Sequence, residues 1–495
     1  MPASFQNRPG FQGSETSNAR VHVYQHGDDP IILNGIAGAT EIEGRRASDP
    51  SSCLVSVQTS KALGAPSGSF VLTVKGSKAV GNEVFEWLAD DDWIDVVFYR
   101  HDQPWHVMRG LVDEVRQSTV VSGTGATVET YTISGRDFAK IWEITPVWFS
   151  PYADNDLVTD AVGHKTFDAL PSVVGDPPTA VKAYLKSFLE AVSQNAGVNW
   201  NPPKGMPAIE NDSFLESVGF DDSAYSNIPA RKQFNPNYMM PSGTLWQLAQ
   251  QHSDPLFTEL YADLLPNNDA FAAELASGDP VGLGDAKMTV VIRDKPFPNV
   301  AESGKDDNWG GLPLAIVPRQ QIKSADLGKS GLERFNAFFV ASLLHQEQTG
   351  KDALSIIAPL INLEEIKRHG MRRMDVQSQM APDALDFGVM AEQQRKIIRD
   401  WYALNPYLIS GTINLGMGRP DIRIGTRIAI PGVAADQSDM ETYYVEQVSH
   451  SWQYGSGLKT TLGVTRGWIG DDSTYRDALE KKAAQYTIPK LRKDQ

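Results

Sequence analysis

The feature that constrains this chain most is a series of short apolar–polar alternations across its first third. Val21 and Val23 alternate with His22 and Tyr24, and Val55 and Val57 with Ser56 and Gln58. Phe70, Leu72 and Val74 form another set, then Ile94, Val96 and Phe98, then Val107 to Val115, with Tyr131 and Ile133 closing the series. Clusters rich in Gly, Asp, Pro and Ser separate the runs, among them Gly64-Ala65-Pro66-Ser67-Gly68, Asp90-Asp91-Asp92 and Ser122-Gly123-Thr124-Gly125. Period-two alternation buries one face of a strand and exposes the other. Six or seven such strands at short spacing, from Arg20 to about Thr145, predict an antiparallel sandwich or barrel.

The pattern then changes. Asp176-Pro177-Pro178 reads as a cap with proline in the first turn. Val181, Tyr184, Leu185, Phe188, Leu189 and Val192 follow at the spacing of one helix face. A second helix is expected from Ser242 to His252 and a third from Phe387 to Tyr402, where Met390, Ile397, Ile398 and Trp401 share a face. Strands are expected at Phe257–Leu264, Met288–Arg293 and Asn336–Ser342. Two polar stretches, near 199–237 and 266–285, read as insertions. The last third returns to strands at Leu408–Leu415, Arg427–Ile430, Tyr443–Trp452 and Leu458–Thr465, then a short surface helix and a polar tail.

The fold class expected is therefore α+β, mainly β. Residues 1–19 form a flexible arm, 20–145 a first β domain, 146–404 a mixed α/β domain, 405–470 a second β region and 471–495 a polar tail with a basic end. The two β regions show no repeat at residue level.

Composition narrows the function. The chain has 495 residues, 41% of them hydrophobic, so a sizeable core can be buried. A formal charge of −16 argues against generic binding to nucleic acid, but allows a channel that nucleic acid crosses without sticking. The single cysteine, Cys53, precludes an intrachain disulfide and reads as a small buried hydrophobe on a strand. No run of about eighteen apolar residues suits a membrane span, and the polar start lacks the apolar core of a signal peptide. Assembly in a host cytoplasm follows as an expectation.

Candidate chemistry is sparse. His22 and His26 lie four apart on a strand and could face one side, but no third zinc ligand is nearby. His101 and His106 flank a turn, and all four read as solvated. Gly455-Ser456-Gly457-Leu458-Lys459-Thr460 has Leu458 where a phosphate loop needs glycine, and reads as a hairpin turn. Asp90, Asp91, Asp92 and Asp95 lack the glycine of a calcium loop and read as a solvated turn. No HExxH or GxSxG motif is present. No catalytic, cofactor-binding or metal-binding residue is assigned, no cofactor is expected, and the chain reads as a non-enzyme.

Several stretches, in order, resemble baseplate hub proteins of contractile-tailed bacteriophages. Asp92-Trp93-Ile94-Asp95-Val96, Met108 to Val115 and Tyr131-Thr132-Ile133-Ser134-Gly135-Arg136-Asp137 resemble the family's first barrel. Val291 to Phe297, Ser324 to Ser330 and Glu333 to Asn336 resemble its middle part. Gly418-Arg419-Pro420-Asp421-Ile422-Arg423-Ile424-Gly425, Tyr444 to Trp452 and Leu462 to Gly467 resemble its last strands and closing hairpin. The likeness runs from Arg20 to Trp468 and extends to the hub part of secretion-system spike proteins.

The resemblance implies two tube-like antiparallel β-barrel domains joined by the mixed domain. It implies a homotrimeric ring whose six barrels match a sixfold tail tube and whose other end carries a threefold spike. The expected partners are the tube or a tube-initiating protein, a separate spike protein and other baseplate proteins, with DNA only as passing cargo. The expected place is the virion tail. A host-binding module and a cell-wall-degrading tail protein are the alternatives.

Overall fold

The structure is a computed structural model. It describes residues 18–24, 31–34, 54–75, 88–100, 103–121, 125, 127–148, 177–190, 200, 206, 214–225, 242–253, 255–266, 286–296, 309–342, 359–378, 387–433 and 439–489. Cys53, His26, His101, residues 1–17 of the arm and 267–285 of the second insertion lie outside the described residues.

The first third forms β1 (Asn18–Tyr24), β2 (Ile31–Asn34), β3 (Leu54–Ala62), β4 (Ser69–Lys75), β5 (Trp93–Arg100), β6 (Gln103–Val121) and β7 (Thr127–Asp137). The alternation acts as expected: β4 buries Phe70, Leu72 and Val74 and exposes Ser69, Val71 and Lys75. α1 (Lys140–Ile144) and β8 (Pro146–Trp148) follow. α2 (Pro177–Lys182) runs into a π-helical stretch, Ala183–Phe188, and buries Val181, Tyr184, Leu185 and Leu189 on one face.

The stretch 199–237, read as a loop, contains α3 (Phe214–Ser217) and β9 (Val218–Asp221). Phe214 and Val218 are buried there, so a short apolar core segment was hidden by polar neighbours. β10 (Ser242–Thr244) pairs with β8, and α4 (Leu245–His252) starts on a capping box between Thr244 and Gln247. β11 (Thr258–Pro266), β12 (Ala286–Asp294), β13 (Leu314–Ile316), β14 (Ile322–Gly328), β15 (Ala337–Ser342), β16 (Leu360–Ile361), α5 (Leu363–His369), β17 (Arg373–Ser378) and α6 (Phe387–Tyr402) complete the middle. The end carries β18 (Ile409–Leu415), β19 (Arg427–Ile430), β20 (Glu441–Gln453), β21 (Gly457–Ile469) and α7 (Asp472–Ala483). α7 was expected at the surface. Its Tyr475 and Leu479 are instead buried, packed with Trp309, Phe338, Ile398 and Tyr444.

Most strands share one sheet. Its path is β14-β18-β21-β20-β3-β4-β7-β6-β5-β1-β2, with β19 beside β20 and β13 beside β19. Among the described residues this path does not close on itself. Strands from the two ends of the chain meet where β20 pairs antiparallel with β3, Gln447 opposite Ala62 through Gln453 opposite Ser56. One core lies under the early strands and takes in Trp452 and Leu458 from the late ones. A second lies under the late strands, around Ile413, Ile428, Tyr443 and Leu462. The small sheet β11-β12-β9 packs with the helices of the middle in a third.

Candidate functional site

The centre of the large sheet has eight strands, β6-β7-β4-β3-β20-β21-β18-β14, each antiparallel to the next. Four come from the first third of the chain; β18, β20 and β21 come from its end and β14 from its middle. The two halves repeat one design. In β6 a bulge separates Val112, opposite Gly135, from Glu114, opposite Ser134. In β20 a bulge separates Val445, opposite Val464, from Gln447, opposite Gly463. The bulged residue is acidic in both, Asp113 and Glu446. Each holds the same cross-strand position: Asp113 takes Arg136 at 2.9 Å, and Glu446 accepts from Thr465 Oγ1 at 2.8 Å. Before the bulge each long strand has a lateral partner, β5 on β6 and β19 on β20. The structure thus contains a duplication that residue identities conceal.

One face of these eight strands is polar. Across the paired strands, one row reads Ser324, Asn414, Thr461, Ser449, Ser60, Ser69. Asn414 Nδ2 donates to Ser324 Oγ at 3.0 Å and Thr461 Oγ1 donates to Asn414 Oδ1 at 2.8 Å. Hydroxyl and amide groups therefore satisfy one another across strands. The guanidinium groups on this face are held: Arg116 by Glu114 at 2.7 Å, Arg136 by Asp113 and by Glu143 at 3.1 Å.

Both ends of the eight-stranded unit carry bare edges. Among the described residues β14 pairs only with β18, and residues 113–121 of β6 pair only with β7. Residues 103–111 of β6 are covered by β5, and Val112 exchanges backbone bonds with Asp91 and Asp92. The free half of β6 is exposed, Val120 and Val121 included, and so is most of β14.

Buried charges fix the unit to the rest of the chain. Lys61 on β3 lies 2.7 Å from Asp263 on β11 and 3.5 Å from Asp137 on β7. Arg423, from the segment before β19, reaches Asp263, the Leu264 carbonyl and, at 3.2 Å, the His106 carbonyl. A cavity of about 20 Å³, room for a water molecule, is lined by Thr59, Lys61, Asp263, Arg423 and His450. Burial pushes Asp137 up to about 6, although Lys61 and the Gly68 and Ala139 amides favour its charged form. Burial pushes Asp263 up too, but Lys61 and Arg423 outweigh it and hold the carboxyl below the usual range. Burial, then Arg423, push His450 down to about 4, and its Nδ1 lies 2.9 Å from Thr460 Oγ1. Nearby, Glu259 takes Arg293 at 3.0 Å and the Tyr444 hydroxyl at 2.7 Å, and Arg293 donates to the Gly425 carbonyl at 2.8 Å. These contacts can hold chain segments in a fixed geometry.

The residues singled out in the sequence are scattered. His22 and His106 are buried, not solvated, because β1 and residues 106–112 of β6 are covered on both faces. His106 Nε2 lies 3.1 Å from Asp95. Asp95 departs from the acidic turn altogether: it is fully buried and takes Arg109 at 2.7 and 2.9 Å. Burial opposes its charge, but Arg109 and then His106 hold it well below the usual carboxylate range. Asp91 pairs with Lys140 at 2.6 Å, and Asp92 caps the Ala89 amide at 2.8 Å. Gly455 and Gly457 take positive φ in the β20–β21 turn, with Leu458 buried, as a hairpin requires. Among the described residues no group of three or more His, Cys, Asp and Glu could hold a metal ion, and no helix is long and apolar enough to cross a membrane.

Solved structures similar to the chain include tail proteins and type VI secretion components. A tail protein from Neisseria meningitidis aligns at TM-score 0.49 and 12% identity, covering 91% of this chain and 96% of that one. The 43 kDa tail protein of prophage MuSo2 from Shewanella oneidensis aligns at TM-score 0.47 and 13% identity, covering 91% and 98%. A component of the E. coli type VI secretion system aligns at TM-score 0.39 and 9% identity, covering 84% and 75%. No protein-family model and no curated protein matches the chain.

Proposed function

We propose that the chain is a structural, non-enzymatic phage tail protein, the baseplate hub, in which three copies close a ring around a lumen for DNA. The observation that carries this reading is the eight-stranded unit, made of two equivalent four-stranded halves and, among the described residues, bare at both edges. Three such chains supply six equivalent halves, which is how a threefold object can meet a sixfold tube. Bare edges are normally covered or paired, and neighbours in a closed ring cover them. Because the number of strands is even, β14 of one copy meets β6 of the next antiparallel, and the alternation continues without a break.

The dimensions agree. Twenty-four strands at ~4.8 Å spacing give a wall roughly 37 Å across if they run along the axis, and more if they tilt. About 5 Å of side chain on each side leaves a lumen of at least ~27 Å, against ~20 Å for a duplex. The face of Ser, Thr, Asn and Gln suits that lumen. It offers a phosphate chain no row of cations to bind and no dense row of anions to repel it. The other face is filled by the two cores.

The resemblance of the ordered motifs to hub proteins supports the same role, with tube, spike and other baseplate proteins as partners, two tube-like domains, one at 20–145 and one at 405–470 completed by β13 and β14, and a place in the virion tail. The test is the mass of the purified protein in solution, with imaging of the particles. A homotrimer with a threefold pore wider than a duplex supports the reading. A stable monomer that ignores tube and spike proteins, or another closed symmetry, refutes it.

A further inference from the structure

The duplication supplies a template for the contact between copies. β20 and β6 are equivalent, and so are β3 and β14. Matching the bulges sets Gln447 against Glu114; following partners through Gly463 and Thr412, and through Ser134 and Val71, sets Asp326 against Gln58. Within the chain Ser451 stands opposite Gln58. Ser451 matches Ser118. Resting on the hub reading, we infer that β14 of one copy pairs with the free half of β6 of the next in this same register, Asp326 opposite Ser118.

Three independent features fit. First, β6 is bare in the part the template selects: Gln447–Gln453, the part of β20 that β3 covers, matches 114–120. Second, the faces agree. Asp326 and Ser324 lie on the polar face, as do Ser118 and Arg116, whereas a slip by one residue would turn every side chain over. In this register no like charges stand opposite, Asp326 lies diagonal to Arg116, and Leu327 and Val115, half-buried margins of the two cores, come to the same side.

Third, the ring closes. Going straight across from Glu114 through Ser134, Val71 and Gln58 arrives at Ser451, four residues beyond the matching Gln447. Three such steps within the chains and three equal ones at the proposed contacts add to a shear of about 24 residues for about 24 strands. Equal shear and strand number correspond to a tilt of about 36°, inside the usual range for barrels.

The test uses disulfides in a Cys53→Ser chain. Asp326→Cys with Ser118→Cys brings two thiols together only between copies. Within one chain they lie seven strand spacings apart, roughly 34 Å. Residues opposite in an antiparallel pair have Cα atoms about 4.5–5.5 Å apart, within disulfide range. Gln58→Cys with Ser451→Cys is the intrachain control. Oxidation should give a covalent species of three chain masses, and no larger one, from the 326/118 pair. Pairing Asp326→Cys with Arg116→Cys or Val120→Cys should give at least tenfold less. Preferential linkage in either slipped pair, or an imaged ring whose 326/118 thiols stay free, overturns the register and leaves the hub reading standing, whereas a ladder past three overturns both. Absence of both ring and linkage overturns the two together.

Discussion

Replacing Lys61 by Met should destabilise the protein in a pH-dependent way. The Met side chain retains most of the apolar stem of Lys61 but withdraws the ammonium from two buried carboxylates, Asp263 at 2.7 Å and Asp137 at 3.5 Å. Asp263 retains Arg423 and the Leu264 amide. Asp137 keeps only the Gly68 and Ala139 amides. Its folded value of about 6 lies above the ordinary 3.8, so the folded state prefers the proton. Stability tied to Asp137 is therefore present at low pH and lost as pH rises through 6, on the order of 3 kcal/mol above both values. Without Lys61 the folded value rises further, at about 1.4 kcal/mol per tenfold change in proton affinity, and the loss extends to higher pH. Leaving a buried charge without its partner costs about 3–5 kcal/mol. Lys61→Met should lose that much at pH 8 and roughly half at pH 5, where Asp137 is already protonated in both proteins. Urea unfolding followed by circular dichroism at the two pH values measures the difference. An equal or larger loss at pH 5 would refute the reasoning.

Two other outcomes bear on assembly. Gly411 has φ of +153°, and a Cβ there would meet the Asp326 carbonyl oxygen at 2.0 Å; Gly411→Ala should part β14 from β18, cost about 1–3 kcal/mol or more, and abolish trimers in light scattering. Ser449→Lys places three lysines on the lumen face of a ring, which should then retain linear duplex but not closed circular DNA. Three neutralised phosphates predict a roughly 40-fold loss of that retention between 50 and 200 mM salt, read by fluorescence anisotropy.

Much of the fold was legible because one-sided burial writes itself as alternation. β4 is the clearest case, and the α2 face at Val181, Leu185 and Leu189 follows the same logic at helical spacing. β5 misled because both its faces are covered: Trp93 packs into one core, Ile94, Val96 and Phe98 into another. Asp95 consequently read as solvated although it is buried, and so did His106 on the neighbouring β6, whose residues 106–112 are also buried on both faces. β14 escaped notice as a strand because only Ile322 and Leu327 are half-buried and the rest is exposed, so no alternation marks it. The duplication was illegible for another reason. Val115 and Val448, Ile133 and Leu462, Leu72 and Ile413 match in character, but Phe70 matches Gly411 and Arg136 matches Thr465. Register and bulge position repeat where side chains do not. The β3–β20 pairing joins opposite ends of the chain and no local pattern could announce it. The candidate surface was legible only as polar strand positions, and the charged junction not at all.

The divergence between β3 and its counterpart β14 has a physical logic. β3 is covered within its own chain and carries Val57 where β14 carries Ala325, and Thr59 where β14 carries Leu327. β14 also carries Lys323 and Asp326, with Lys329 just after it, all exposed, and β6 answers with Glu114 and Arg116. A long apolar bare edge would pair with any strand it met, whereas charged edge residues penalise every register that sets like beside like. Sliding the proposed contact two residues one way puts Asp326 opposite Arg116 and Lys329 opposite Asp113, pairs that charge does not penalise, so what disfavours this slip is its departure from the β3–β20 register. Sliding it two the other way sets Asp326 opposite Val120, without its diagonal guanidinium. The edges are thus polar enough to discourage indiscriminate strand pairing, and the repeat of the β3–β20 register, not charge alone, selects the contact that closes the ring.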